Sequence, residues 1–151
     1  MQKRILGTTT VTQVAIVVRD IEKAAQAYAD FLGVEKPPTV TTDAIEKSRA
    51  RYKGNPTRAR AKLAFFTVGP GLELELIQPD NEPSTWREDL DRNGEGVHHI
   101  AFQIKGMKET LARLTTEEMP LIQAGEYTGG RYAYVDARRD LKVVIELLET
   151  D

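Results

Sequence analysis

Apolar positions fall into two alternating periods along this chain. Val11 to Arg19 reads VTQVAIVVR, β-branched and largely apolar, which predicts a well-buried strand. The period then changes. Ile21, Ala24, Ala25, Tyr28, Phe31 and Leu32 recur at helical spacing behind Asp20, a residue able to cap the first turn, and Gly33 is a natural stop before Pro37 and Pro38. Residues 39–56 are polar and charged without a clear period and end on the turn signal Gly54-Asn55-Pro56. Arg58 to Val68 predicts a strand, Gly69-Pro70-Gly71 a tight turn, and LELELIQP a second strand closed by Pro79.

Thr85, with Glu88 three residues on, predicts a capping box for a short helix through Leu90 that ends at Asn93-Gly94. VHHIAFQI is the next strand and MKETLARLTTEE the next helix. The glycine pair of GEYTGGRY leads into the strand RYAYVD, and a charged turn at ARRD leads into the last strand, LKVVIELLE. The order is strand, helix, strand, strand, linking helix, then strand, helix, strand, strand. One short extra strand in each uncertain stretch completes two βαβββ units.

The two units also match in detail. VTQVAIVVRDIEKA lies over VHHIAFQIKGMKET, which sets Gln13 opposite His99, and LELELIQP lies over VVIELLE, which sets Glu75 opposite Glu146. The predicted fold class is therefore α+β, with paired βαβββ modules forming a cup-shaped sheet. The expected organisation is an amino-terminal tail over 1–10 and a single domain over 11–150, with module one at about 11–80, the linking helix at about 84–93 and module two at about 96–149.

Composition narrows the chemistry. At 151 residues with 40% hydrophobic content, the chain can build its own core. The absence of cysteine excludes disulfides, thiolate metal sites and cysteine nucleophiles. A net charge of −2 argues against nucleic acid as a partner. No apolar run suits a signal segment or a membrane span, so the expectation is a soluble, cytoplasmic protein.

Against that background, Gln13, Glu75, His99 and Glu146 each interrupt an otherwise apolar strand. A buried carboxylate costs several kcal/mol unless it is paired or coordinated. Two carboxylates, one imidazole and one amide at equivalent places in two repeats can meet about a pseudo-twofold axis, where one divalent cation would satisfy all four. Oxygen-rich ligation with one imidazole suits Co, Ni, Mn, Fe or Zn. Taken singly, each residue has a plainer reading. Gln13 suits a strand edge, Glu75 could face solvent beside Glu73, and Glu146 could pair with an arginine. His98 and His99 are expected on opposite faces.

The strings TQVAIVVRDIEKA, LELELIQP, PSTWREDLDRNGEGVHHIAF, TGGRYAYVD and KVVIELLE resemble the vicinal-oxygen-chelate superfamily, in particular its methylmalonyl-CoA epimerase branch. The resemblance runs from about Val11 to Glu149 and is weakest over 35–57. It implies a cup-shaped sheet around one divalent metal, with ligands falling on Gln13, Glu75, His99 and Glu146. This Gln, Glu, His, Glu set is also similar to that of the glyoxalase I branch.

Two departures stand out. A second general-base glutamate of the epimerases falls on Leu63, and the glutathione-holding positions of glyoxalase I fall on Val17, Pro79 and Glu95. The resemblance implies an epimerase, isomerase or lyase that removes a proton beside a chelated carbonyl or carboxylate, with Glu146 as first candidate base. Glu73, on the same strand face as Glu75, is the second candidate and could equally be a solvated rim carboxylate. It also implies a homodimer, for which Tyr28, Phe31 and Trp86 are candidate contacts if they are not core.

Lys47, Arg49, Arg51, Lys53, Arg58, Arg60 and Lys62 form the densest basic segment. They suit either an anionic small-molecule substrate, such as an acyl-CoA, or a solvated strand edge. Tyr127, Arg131 and Tyr132 flank the glycine pair, where a loop could cover the site. A protein that sequesters a small molecule in the same cup without turnover is the alternative reading.

Overall fold

The computed structural model describes residues 4–151. The first buried strand is β1 (Gln13–Val17), and its alternating exposure follows the alternation of the sequence. Helix α1 (Ile21–Leu32) starts where Asp20 accepts a hydrogen bond from the Lys23 amide, and stops at Gly33, which takes the left-handed conformation at φ 71°. Strands β5 (Ala61–Gly69) and β6 (Leu72–Pro79) complete the hairpin predicted around Gly69-Pro70-Gly71.

Residues 39–56 hold more than one extra strand. They form β2 (Val40–Thr41), a helical turn α2 (Ile45–Ser48), β3 (Arg51–Tyr52) and β4 (Asn55–Pro56). β2 joins the sheet beside β5 of its own module, whereas β3, paired with β4, joins it across the molecule. Two-residue strands leave no periodic trace in a sequence, which is why the stretch defied reading.

The linking helix α3 (Thr85–Asn93) corrects the predicted cap by one residue: Ser84, not Thr85, caps it, its Oγ accepting from the Arg87 amide at 2.9 Å. Both types cap well. Thr85 is committed elsewhere, because its amide donates to Gln123 Oε1 at 2.8 Å and its hydroxyl meets His98. Module two follows as β7 (Gly96–Gln103), α4 (Met107–Thr116), β8 (Leu121–Tyr127), β9 (Gly130–Asp136), a helical turn α5 (Arg138–Leu141) and β10 (Val144–Thr150). The expected charged turn at ARRD is thus a helical turn, and the last strand starts later than expected.

All ten strands join one mixed sheet, curled into a half-barrel, in the order β2-β5-β6-β1-β7-β10-β9-β8-β3-β4. β1 and β7 pair antiparallel at its centre, while β6 runs parallel to β1 and β10 parallel to β7. This is the two-module symmetry the repeats predicted. The β3–β4 hairpin belongs to module one but closes on β8, so the chain between β2 and β5 passes from one sheet edge to the other.

The convex face is covered by α1, packed on Ile16, Phe66 and Leu76, and by α4, packed on Phe102, Val135 and Leu147. Ile5 and Leu6 of the amino-terminal stretch pack against the second of these clusters. On the concave face, Ala15, Val17, Ile77, Val144 and Tyr134 pack with Trp86 and Leu90 of α3, which plugs one end of the cup. Trp86 is core and Tyr28 stacks on Phe66 at 5.9 Å, whereas Phe31 is 85% exposed. Among the described residues, no helix is long and apolar enough to cross a membrane.

Candidate metal centre

Registration of the four central strands brings the predicted ligands together. Gln13 stands opposite Ala101, Ala101 opposite Glu146, Glu75 opposite Ala15, and Ala15 opposite His99. Paired residues share a sheet face, so all four polar side chains point into the cup. The two alanines between them, both fully buried, leave the room into which the longer side chains lean. Each ligand-and-alanine pair is the repeat partner of the other: Gln13 with Ala15 in β1, His99 with Ala101 in β7.

Three oxygens converge on one nitrogen. His99 Nε2 lies 3.1 Å from Gln13 Oε1, 3.2 Å from Glu146 Oε1 and 3.6 Å from Glu75 Oε1. His99 is fully buried and the other three are nearly so. The only cationic partner recorded for either carboxylate among the described residues is this imidazole, which at most carries one positive charge against two negative ones. Burial, and then the charges of Glu146 and Glu73, push the Glu75 carboxyl well above its ordinary value.

The donor set fits a divalent ion. Donors bonded at roughly 2.1 Å stand roughly 3.0 Å apart when adjacent on an octahedron and roughly 3.4 Å apart on a tetrahedron, and His99 Nε2 already stands within that range of Gln13 Oε1 and Glu146 Oε1. Glu75 is the outlying member. Among the described residues, no group of three or more His, Cys, Asp or Glu is by itself drawn into ligating geometry, so the fit depends on the Gln13 amide as the fourth donor.

His98 does not face away from His99 as strict alternation predicts. Ala15 pairs with His99 and Ile16 with Val97, so His98 is the extra residue of a β-bulge. The bulge turns both imidazoles inward, with their Nδ1 atoms 2.8 Å apart and their rings edge to face. His98 Nε2 lies in turn 3.1 Å from Thr85 Oγ1. Burial, followed by His99 and Arg138, holds the His98 imidazole well below its ordinary pKa, so it stays neutral. No periodic signal could have shown this hydrogen-bonded chain.

Above the four residues opens a cavity of about 420 Å³ whose lining includes Gln13, Glu75 and Glu146. Its walls are Phe65, Leu63, Trp86, Tyr132 and Tyr134 with the buried Ser48, and the more exposed Asp43, Glu126 and Tyr127 border its mouth. Trp86 Nε1 donates to Tyr134 Oη at 3.1 Å, and Gln123 Nε2 donates to Tyr132 Oη at 3.2 Å. Burial raises the Tyr132 phenol to about 12 and pushes the Tyr134 phenol well above its ordinary value, so both walls are neutral. Gly125 makes room for Tyr132: a Cβ there would stand 2.7 Å from the ring.

Other predicted residues fall outside the cavity lining. Glu73 is exposed on the same strand. Arg58, Arg60 and Lys62 do alternate on one side of the chain, but it is the solvent side, while Ala59 and Leu63 face the cavity. Lys47 pairs with Asp43 at 3.8 Å, Arg49 with Glu126 at 3.8 Å and Lys53 with Glu88 at 3.1 Å. Arg131 is tied down by Glu149 at 2.7 Å and by Asp151, so of the residues around the glycine pair only the tyrosines reach the site. Val17 and Pro79 are buried, and Glu95 accepts from the Arg19 amide at 2.8 Å.

Comparison with known proteins agrees with this fold. The family model of the glyoxalase/bleomycin resistance protein/dioxygenase superfamily matches residues 12–135, and the chain belongs to that superfamily. Among individual relatives, the uncharacterised protein YqjC of Bacillus subtilis (strain 168) is 27% identical over 139 residues, 90% of this chain and 89% of that one. The 2-epi-5-epi-valiolone epimerase of an Actinomyces species is 27% identical over 139 residues, 85% of this chain and 73% of that one.

The fold is also that of methylmalonyl-CoA epimerase from Mycobacterium tuberculosis, with TM-score 0.66, 22% identity, and coverage of 100% of this chain and 93% of that one. A Streptomyces coelicolor methylmalonyl-CoA epimerase variant in complex with 2-nitronate-propionyl-CoA gives TM-score 0.62 and 20% identity over 94% of each chain. At these identities the structural likeness is one of fold.

Proposed function

We propose that this chain is a metal-dependent epimerase, isomerase or lyase that removes a proton beside a carbonyl of a small substrate. The observation that carries the reading is the convergence of Gln13, Glu75 and Glu146 oxygens on His99 Nε2 at the floor of a cavity. These four residues would hold one divalent ion, of the Co, Ni, Mn, Fe or Zn class, and the ion would supply Lewis-acid stabilisation of the charge that develops on the substrate oxygen. The epimerase names of relatives support the reaction class.

The remaining work falls to the chain. The four residues at the cavity floor are buried behind aromatic walls, and this low-dielectric setting strengthens the electrostatic contacts there. Glu146 borders the cavity and is the proposed base. Its carboxylate takes the proton from the carbon next to the carbonyl, and the electron pair of the broken C–H bond moves toward the carbonyl oxygen; return of the proton from Glu146 to the adjoining carbon gives the isomer, whereas a proton delivered by water to the opposite face of the original carbon gives the epimer. Glu73, the second candidate, is assigned the role of a solvated rim carboxylate because it is exposed. All ligands come from one chain, and a homodimer with one such site per chain is the proposed assembly.

One observation favours a second reading. Leu63 lines the cavity at the place where the epimerases it resembles carry a second glutamate. A sequestering protein needs no such base. Solvent deuterium exchange separates the two. Metal-loaded protein is expected to wash deuterium into an α-position of at least one member of a panel of acyl thioesters, oxo acids and hydroxy ketones, with loss on metal removal and in Glu146→Gln. Tight binding with no exchange anywhere in the panel would establish the sequestering protein instead.

A further inference from the structure

We infer that the cavity takes a neutral polyhydroxylated ketone as its reacting substrate, and not a carboxylate or a CoA thioester. The inference rests on the proton-abstraction reading above and departs from the anionic substrate that the basic segment suggests. Its first support is charge. Among the residues lining the cavity none is Lys or Arg, while Asp43 and Glu126 add two carboxylates at the mouth to the two at the floor. A divalent ion would balance the floor pair alone. Among the described residues the mouth acids are paired with Lys47 and Arg49, largely exposed and each facing its own acid. A negatively charged substrate therefore finds no cation in the lining itself; Arg60, whose Nε donates to the Thr42 carbonyl at 2.8 Å, is exposed on the solvent side of its strand.

The second support is the wall. Trp86 and Tyr132 stand at a centroid separation of 6.5 Å and an angle of 34°, and Trp86 meets Tyr134 edge-on at 6.0 Å. This cluster lines the cavity with aromatic surface, which suits the C–H side of a hydroxylated ring, whose hydrogens carry partial positive charge. The third support is the polar fringe. Thr42 Oγ1 accepts from the Ala61 amide and Ser48 Oγ from the Ala50 amide, so each hydroxyl keeps a proton to donate inward. Asp43 and Glu126 are acceptors, which neutral hydroxyl groups can satisfy and a carboxylate or phosphate cannot. A volume of about 420 Å³ takes a six- or seven-carbon ring whole, whereas the nucleotide of a CoA ester would have to lie outside it.

Trp86 is the sole tryptophan and lines the cavity, so its emission reports occupancy directly. The full-length, cobalt-loaded protein is titrated with scyllo-inosose, D-fructose, 2-oxobutyrate and methylmalonyl-CoA, and α-hydrogen exchange in deuterated water is followed for each. The expected result is saturable quenching and exchange with at least one of the two ketones, at an affinity at least tenfold above that for the oxo acid and the thioester. Tighter binding of the thioester or the oxo acid overturns the inference, as does a silent Trp86 with both ketones. Ketone binding without exchange upholds the substrate class and sinks the proton-abstraction reading; exchange with the thioester alone does the reverse. A double Asp43→Lys, Glu126→Lys variant is expected to shift the ratio of affinities toward 2-oxobutyrate at least threefold, and an unmoved ratio counts against the charge argument.

Discussion

The Nδ1 atoms of His98 and His99 lie 2.8 Å apart, so one of these adjacent imidazoles must donate a hydrogen bond to the other. The direction matters. If His99 Nε2 offers a lone pair to a metal ion, its proton sits on Nδ1 and points to His98, and His98 in turn carries its proton on Nε2 and donates to Thr85 Oγ1 at 3.1 Å. Without the ion, His99 Nε2–H can donate to the oxygens around it and the whole chain can run backward. Adding zinc to the metal-free protein is therefore expected to move the His98 proton from Nδ1 to Nε2, read from nitrogen-15 shifts of the two rings. Thr85→Val removes the terminal acceptor and should weaken metal affinity about tenfold, while Thr85→Ser should restore most of it. Equal affinity in Thr85→Val and the native protein would deny the chain a positioning role.

Stability should depend on pH through Glu75. Its carboxyl is raised above the ordinary 4.5 chiefly by burial, so folding favours the protonated form. In metal-free protein this favourable contribution is whole below pH 4.5. It declines as pH rises above that value and is gone once pH has passed the folded-state value. Bound metal favours the ionised carboxylate and should flatten or reverse the slope over the same window. Urea denaturation between pH 5 and 7, with and without metal, measures both slopes. A metal-free protein that gains stability over this range would show that other groups outweigh Glu75.

The cavity wall depends on Gly125. A methyl group there would meet the Tyr132 ring at 2.7 Å, and the ring is held on its other side by Trp86 and Tyr134. Gly125→Ala is expected to cost about 1–3 kcal/mol through overpacking and to change Trp86 emission. Thermal denaturation and fluorescence of the variant check the two effects; an unchanged melting temperature would mean that Tyr132 swings clear.

Assembly can be tested apart from the site. Phe31 on α1 is 85% exposed, a large apolar side chain with no cover in the single chain. Sedimentation at low micromolar concentration is expected to show a dimer, and Phe31→Glu to shift it toward monomer. Mixed Gln13→Ala and His99→Ala chains should not regain metal binding, because each site draws on one chain. Regained binding would place ligands on both chains.

Much of this architecture was legible from period alone. The change from strand to helical spacing at Asp20, repeated after Gln103, marks the two modules, and the match of Gln13 with His99 and Glu75 with Glu146 locates the cluster before any coordinates. What could not be read lies where local pattern and tertiary pairing part. Ser84 and Thr85 are equally good caps, and only the distant Gln123 and His98 decide between them. Strict alternation sends His98 outward because it does not count a bulge. Alternation correctly groups Arg58, Arg60 and Lys62, yet says nothing of which side of the strand is the cavity. Strand β3 pairs with β8 more than seventy residues away, beyond the reach of any local signal.

The claim on which the rest depends is that Gln13, Glu75, His99 and Glu146 bind one divalent ion per chain. Metal-stripped native protein and a His99→Ala variant are titrated with cobalt(II), followed by visible absorbance and by elemental analysis after desalting. The account predicts one equivalent bound by the native chain and none retained by the variant. A native protein that takes up no cobalt, or a variant that binds it as well as the native chain, would contradict it.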